Sequence, residues 1–179
     1  MGAIFMAIIL DDYLMNEEIS EDDVLDLVES KIPNLYFLAP MLNMQSAQFD
    51  DRKYYDLFSK VLILRGEDRL NDVYNLLFFW LKDFNWPGAL QMREFIIHTE
   101  RKKFMHGIYG AIILAHDDGD EEWLGNLLST LAERDNGSIG DMCEYMVDEE
   151  EYENDYPTLL DLIEKSADID EFDEENTEE

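Results

Sequence analysis

The chain is poor in the residues that most directly announce chemistry. Its 179 residues include one cysteine, Cys143, so no internal disulfide framework can form, and the composition fits a reducing compartment. The acidic neighbours Asp141 and Glu144 oppose formation of the Cys143 thiolate, which argues against a catalytic thiol. There are three histidines, His98, His106 and His116, with neither an H-E-x-x-H pattern nor a Cys/His cluster among them. Both glycine-rich phosphate-binding patterns, G-x-x-x-x-G-K-[ST] and G-x-G-x-x-G, are missing. Bases are scarce as well: 13 Lys and Arg face 43 Asp and Glu, for a formal net charge of −30.

That deficit excludes whole classes of partner. Nucleic-acid affinity depends on Lys and Arg neutralising phosphates and releasing counterions, so a field of this sign opposes direct binding of DNA or RNA. The same repulsion disfavours anionic membranes. A basic protein is the partner such a field draws in, because complementary charge speeds encounter. Calcium is the cation to consider. However, neither the 117–122 stretch nor the 135–141 stretch places acids, glycine and a final glutamate as an EF-hand loop needs them. No cofactor or metal is therefore expected.

The charge is unevenly spread. Residues 1–49 carry a net −8, residues 50–133 a net −5 and residues 134–179 a net −17, so a nearly balanced body has acidic flanks. We expect one helical domain over residues 1–166 with its core in 50–134, and an acidic, disordered tail over 167–179, where few apolar residues remain to bury. Nine of residues 1–10 are apolar, which has the look of a signal. The run lacks a basic leading region, meets Asp11-Asp12 directly and is too short to cross a bilayer. A strand, or a helix docked on the core, accounts for it better, and cytoplasmic retention is expected.

What the chain does have is helical spacing. Ser20-Glu21-Asp22-Asp23 reads as an N-cap with acids in the first turn, followed by an apolar face of Val24, Leu25, Leu27 and Val28. Residues 33–49 hold Pro33 and Pro40 among apolar neighbours and read as a short helix or a packed irregular segment. Tyr54, Phe58, Val61, Leu62 and Arg65 fall at helical spacing, with Gly66 as the stop. One helix is then expected over 67–82 and another over 87–103, with Leu90, Ile97 and their neighbours Ala89, Met92, Phe95 and Ile96 turned inward and Arg101-Lys102-Lys103 at its C-terminal end. A further helix is expected over 104–116, in which Gly107 and Gly110 suggest close approach of a neighbour. Trp123, Leu124, Leu127, Leu128 and Leu131 mark one over 120–134, and a last short helix follows Tyr156-Pro157. Trp80, Trp86 and Trp123 are read as core and not as a ligand groove. The fold class is all-α: stacked antiparallel helical hairpins of the HEAT or armadillo type, or an irregular helical bundle. The expected pairs are 50–65 with 67–82 and 87–103 with 104–116, followed by 120–134.

The run Trp80-Leu81-Lys82-Asp83-Phe84-Asn85-Trp86-Pro87-Gly88-Ala89 resembles the W-L-x-D-x-N-W-P-x-A signature of a family of small bacterial all-helical, HEAT-like domains of unassigned function. Domains of this kind are similar to immunity proteins of bacterial polymorphic toxin systems. The resemblance covers about residues 67–131 and implies a helical fold; the family supplies no catalytic residues to carry over. With it, the expected function is a non-enzymatic acidic binding protein, best read as an immunity protein that occludes a cognate toxin. The alternative is a DNA mimic or regulator of a basic nucleic-acid-processing enzyme. The candidate partner-binding residues are Asp117, Asp118, Asp120, Glu121 and Glu122, together with Asp148, Glu149, Glu150, Glu151, Glu153 and Asp155.

Overall fold

The computed structural model describes residues 19–42 and 52–134. Over these residues the chain is all-helical, with six α-helices, two 3-10 segments and no strand. The apolar run at 1–10, Cys143, the expected last helix and the acidic tail lie outside the described residues. The chain divides into two compact units, Met1–His98 and Thr99–Glu179.

In the first unit, α1 (Glu21–Glu29) begins with the expected cap, elaborated into a capping box. The Asp23 amide donates to Ser20 Oγ at 3.2 Å, and the Ser20 amide donates back to Asp23 Oδ2 at 2.9 Å. α2 (Asn34–Leu42) decides the open choice for the segment after Pro33 in favour of a helix. α3 (Arg52–Arg65) is the hub of the unit: it packs against α1, α2 and α4 (Ala89–Ile97). It buries Tyr55, Leu57, Phe58, Val61 and Leu62, and Phe37 of α2 meets Phe58 edge-on at 5.5 Å. Each such fully buried apolar side chain contributes about 1.5–3 kcal/mol.

Two expectations for this unit are corrected. Residues 67–82 are not one α-helix but a 3-10 turn, Glu67–Arg69, and a 3-10 helix, Tyr74–Lys82. With three residues per turn, this sequence sorts into rows. Tyr74, Leu77 and Trp80 form one buried row, Phe78 and Leu81 lie in the next, and Leu76, Phe79 and Lys82 form a half-exposed third. The segment therefore keeps a partial solvent face, on which the Lys82 ammonium sits 5.6 Å from the centre of the Phe79 ring. It packs on α2 and α4, so the expected pairing of 50–65 with 67–82 gives way to α3 against α1 and α4.

The second correction concerns residues 87–103. The helix ends at Ile97, and Arg101-Lys102-Lys103 open α5 (Arg101–Asp118) instead of closing the helix before it. The apolar stripe explains the restart: Phe104, Ile108, Ala111, Ile112 and Ala115 form one continuous buried face that belongs to the second helix. Of the two glycines expected to admit a neighbour, Gly107 is buried, whereas Gly110 is exposed and an added Cβ there would meet nothing within 4 Å, so close approach is absent at Gly110. The hairpin partner of α5 is α6 (Glu121–Glu133), which buries Trp123, Leu127, Thr130 and Leu131. At the end of α6, Arg134 donates to the Thr99 carbonyl at 3.0 Å, and its guanidinium lies 4.5 Å from the Phe104 ring centre.

Candidate functional site

The signature stretch is occupied by local structural work. Asp83 Oδ1 accepts from the Asn85 amide at 2.7 Å, forming an Asx turn, and the Asp83 carbonyl accepts from the Trp86 amide at 3.0 Å. Trp80 Nε1 donates to the Pro87 carbonyl at 3.3 Å. Tyr55 of α3 stands edge-on to both Trp80 and Trp86, at 6.3 and 5.8 Å. Gly88 has φ +81°, and an added Cβ would overlap Ser59 of α3 and meet the Tyr55 carbonyl at 3.1 Å.

Arg65 is likewise structural. It is 7% exposed, and its guanidinium donates to the carbonyls of Leu27 (2.9 Å) and Ile32 (2.8 Å), to Asn34 Oδ1 (2.6 Å) and to Ser30 Oγ (3.1 Å), beside the ring of Phe37. The last turn of α1 has no basic residue of its own, and Arg65 supplies the positive charge there from α3. Burial holds its pKa below the ordinary arginine value, with the nearby Arg69 acting in the same direction.

The sequence-predicted acids fall into three groups. Asp148, Glu149, Glu150, Glu151, Glu153 and Asp155 lie outside the described residues. Asp120, Glu121 and Glu122 have structural roles: Asp120 is the N-cap of α6, accepting from the Trp123 amide at 3.1 Å, and the two glutamates sit in the first turn, where the helix dipole favours them. Asp117 and Asp118 are different. The helix runs through them to a Schellman-type stop at Gly119, whose amide donates to the His116 carbonyl at 3.0 Å while the Asp120 amide donates to the Ala115 carbonyl at 2.9 Å. Both carboxylates are therefore exposed in the last turn of α5, the end where negative charge is disfavoured. At the other end, Arg101, Lys102 and Lys103 occupy the first turn, again against the dipole.

A feature that sequence reasoning missed lies in the first unit. A groove of about 1000 Å³ runs between the start of α1 (Ile19, Ser20, Glu21, Val24, Leu25), the last turns of α3 (Lys60, Ile63, Leu64) and the outer face of α4 (Leu90, Gln91, Glu94, Phe95, His98). Its lining is mostly apolar, and Leu25, Leu64 and Leu90 are 55, 56 and 58% exposed. Leu25 and Leu90 were expected to face inward. Their companions on the expected faces, Leu27 and Val28 in α1 and Ala89, Met92 and Ile96 in α4, are the ones that are buried. The signal was present as apolar stripes one residue wider than a single packing face requires.

His98 and Glu94 share the groove's rim as i, i+4 neighbours, with His98 Nδ1 3.5 Å from Glu94 Oε1. The same nitrogen lies 2.8 Å from the Glu94 carbonyl, an oxygen that can only accept, so Nδ1 carries the proton and the ring caps α4. Both side chains are about two-thirds exposed to water. Among the described residues, no group of three or more His, Cys, Asp or Glu side chains is placed to hold a metal ion, and no helix is long and apolar enough to cross a membrane.

No protein-family model matches the chain, and no curated protein or solved structure matches it either.

Proposed function

We propose that the chain is a non-enzymatic binding protein that offers a negative surface to a basic protein partner. An immunity protein covering a cognate bacterial toxin is the class that best joins the charge to the resemblance of residues 80–89. The observation that carries this reading is the placement of Asp117 and Asp118. Exposed carboxylates at a helix C-terminus each oppose the dipole by about 0.3–1 kcal/mol; the 3.4 Å approach of Asp117 Oδ1 to His116 Nδ1 offsets part of that cost at Asp117 and none is offset that way at Asp118, and attraction of a cation-rich surface accounts for keeping the pair. The overall charge of −30 extends that attraction over the whole molecule.

The test is affinity capture from the native cell with the wild-type chain and the Asp117→Asn/Asp118→Asn variant in parallel. The expected result is a basic protein retained by the wild type and several-fold less by the variant. It should elute as ionic strength rises from about 0.1 to 1 M, where the screening length falls from about 10 to about 3 Å. Co-expression of the two genes should then protect a host against the captured protein if it is a toxin. A captured protein that is not basic, or retention indifferent to both salt and substitution, contradicts the proposal.

A further inference from the structure

The groove on the first unit needs an occupant, and the sequence that leads into it supplies one. Leu25, Leu64 and Leu90, from three different helices, converge there, each more than half exposed. Converging exposed leucines are unlike the single surface apolar residues that any protein carries and mark a surface that something covers. We propose that residues 4–10 of the same chain, Ile4-Phe5-Met6-Ala7-Ile8-Ile9-Leu10, dock in this groove and cover the three leucines.

Three observations select this occupant over a second copy or a foreign partner. Ile19 and Ser20 are themselves part of the groove wall, so the chain enters the first unit at the groove. The eight residues between, 11–18, reach up to about 26 Å when extended, so residues 4–10 are tethered to a groove whose wall starts at Ile19, at the millimolar effective concentration a short linker confers. The chemistry also matches. The segment is uncharged and rich in Ile, Leu, Phe and Met, and the mostly apolar lining carries its charges, Glu21, Lys60 and Glu94, on residues with polar ends that can stay in water. A cationic partner helix would find only those two carboxylates on the lining, offset by Lys60.

The test places a nitroxide spin label at Ala3→Cys in a Cys143→Ser background of the full chain and records the methyl resonances of Leu25, Leu64 and Leu90. Docking predicts that all three lose at least half their intensity relative to the reduced, diamagnetic sample, at protein concentrations low enough to exclude association. The substitution Leu64→Asp, at a solvent-facing position, should restore the intensities of Leu25 and Leu90 with helicity by circular dichroism unchanged. Full intensity at all three methyls in the labelled chain overturns the proposal. So does attenuation seen only when spin-labelled and isotope-labelled chains are mixed, which would make a second copy the occupant. Attenuation that survives Leu64→Asp overturns it as well. None of these outcomes bears on Asp117 and Asp118, so this inference and the proposed function fail independently.

Discussion

Two residues show how far a single side chain can organise the first unit. Arg65 joins α3 to the end of α1 and the start of α2 through the Leu27 and Ile32 carbonyls and Asn34 Oδ1 at once, so Arg65→Lys is not conservative. A lysine offers one ammonium where a planar fork served several acceptors, and it leaves buried carbonyls unmet. Urea denaturation should show a loss of at least about 2 kcal/mol. Gly88→Ala combines a left-handed backbone with an overlap against Ser59, and the same measurement should show a loss of about 2–4 kcal/mol. Asp23 illustrates pH dependence. Its hydrogen bonds to Ser20 lower its pKa below the ordinary 3.8, so its contribution to the cap is complete above that value and is lost as pH falls through the lowered one. A carbon-detected NMR titration of the Asp23 carboxyl should place its midpoint below 3.8. Little of this was legible beforehand. Arg65 stood out only as a member of a helical stripe, because its partners are 31 to 38 residues away in sequence.

At the scale of elements, helix identity was legible and helix limits were not. The Ser20 cap, the stop at Gly66, where φ is +76°, and the stripe of Trp123, Leu127 and Leu131 are local signals, and the structure carries all of them. The 3-10 helix at Tyr74–Lys82 escaped because an apolar run reads equally well at 3.0 and 3.6 residues per turn when its neighbours decide the pitch. The break at residues 98–100 escaped because no proline or glycine marks it; the cationic run then attached itself to the wrong helix. That reassignment has a consequence for α5, in which Arg101-Lys102-Lys103 at the start and Asp117-Asp118 at the end oppose the dipole, while His116 in the last turn favours it. Replacing Asp118 by asparagine should raise stability by about 0.3–1 kcal/mol at low ionic strength, read as an increase in the urea midpoint that shrinks as salt is added, with a smaller gain at Asp117, whose Oδ1 lies 3.4 Å from His116 Nδ1.

For the whole molecule, the formal charge of −30 dominates. Like charges held in a compact chain repel one another, and salt screens that repulsion. The melting temperature should therefore rise as sodium chloride goes from about 0.01 to 0.15 M, where the screening length falls from about 30 to about 8 Å. A melting temperature that falls over this range would mean that attractive ion pairs outweigh the repulsion. The charge was fully legible in the sequence, and so was the all-helical class. The groove was not, because its leucines become a surface only when three helices bring them together.

On the proposed function, the carboxylates at the end of α5 serve recognition at the expense of stability. One pair of samples tests it: the wild type and Asp117→Asn/Asp118→Asn, each measured for urea midpoint and for salt-dependent retention of the captured basic partner. The two effects of the substitution should have opposite signs, a higher midpoint together with weaker retention. A lower midpoint, or retention equal to that of the wild type at every salt concentration, would contradict it.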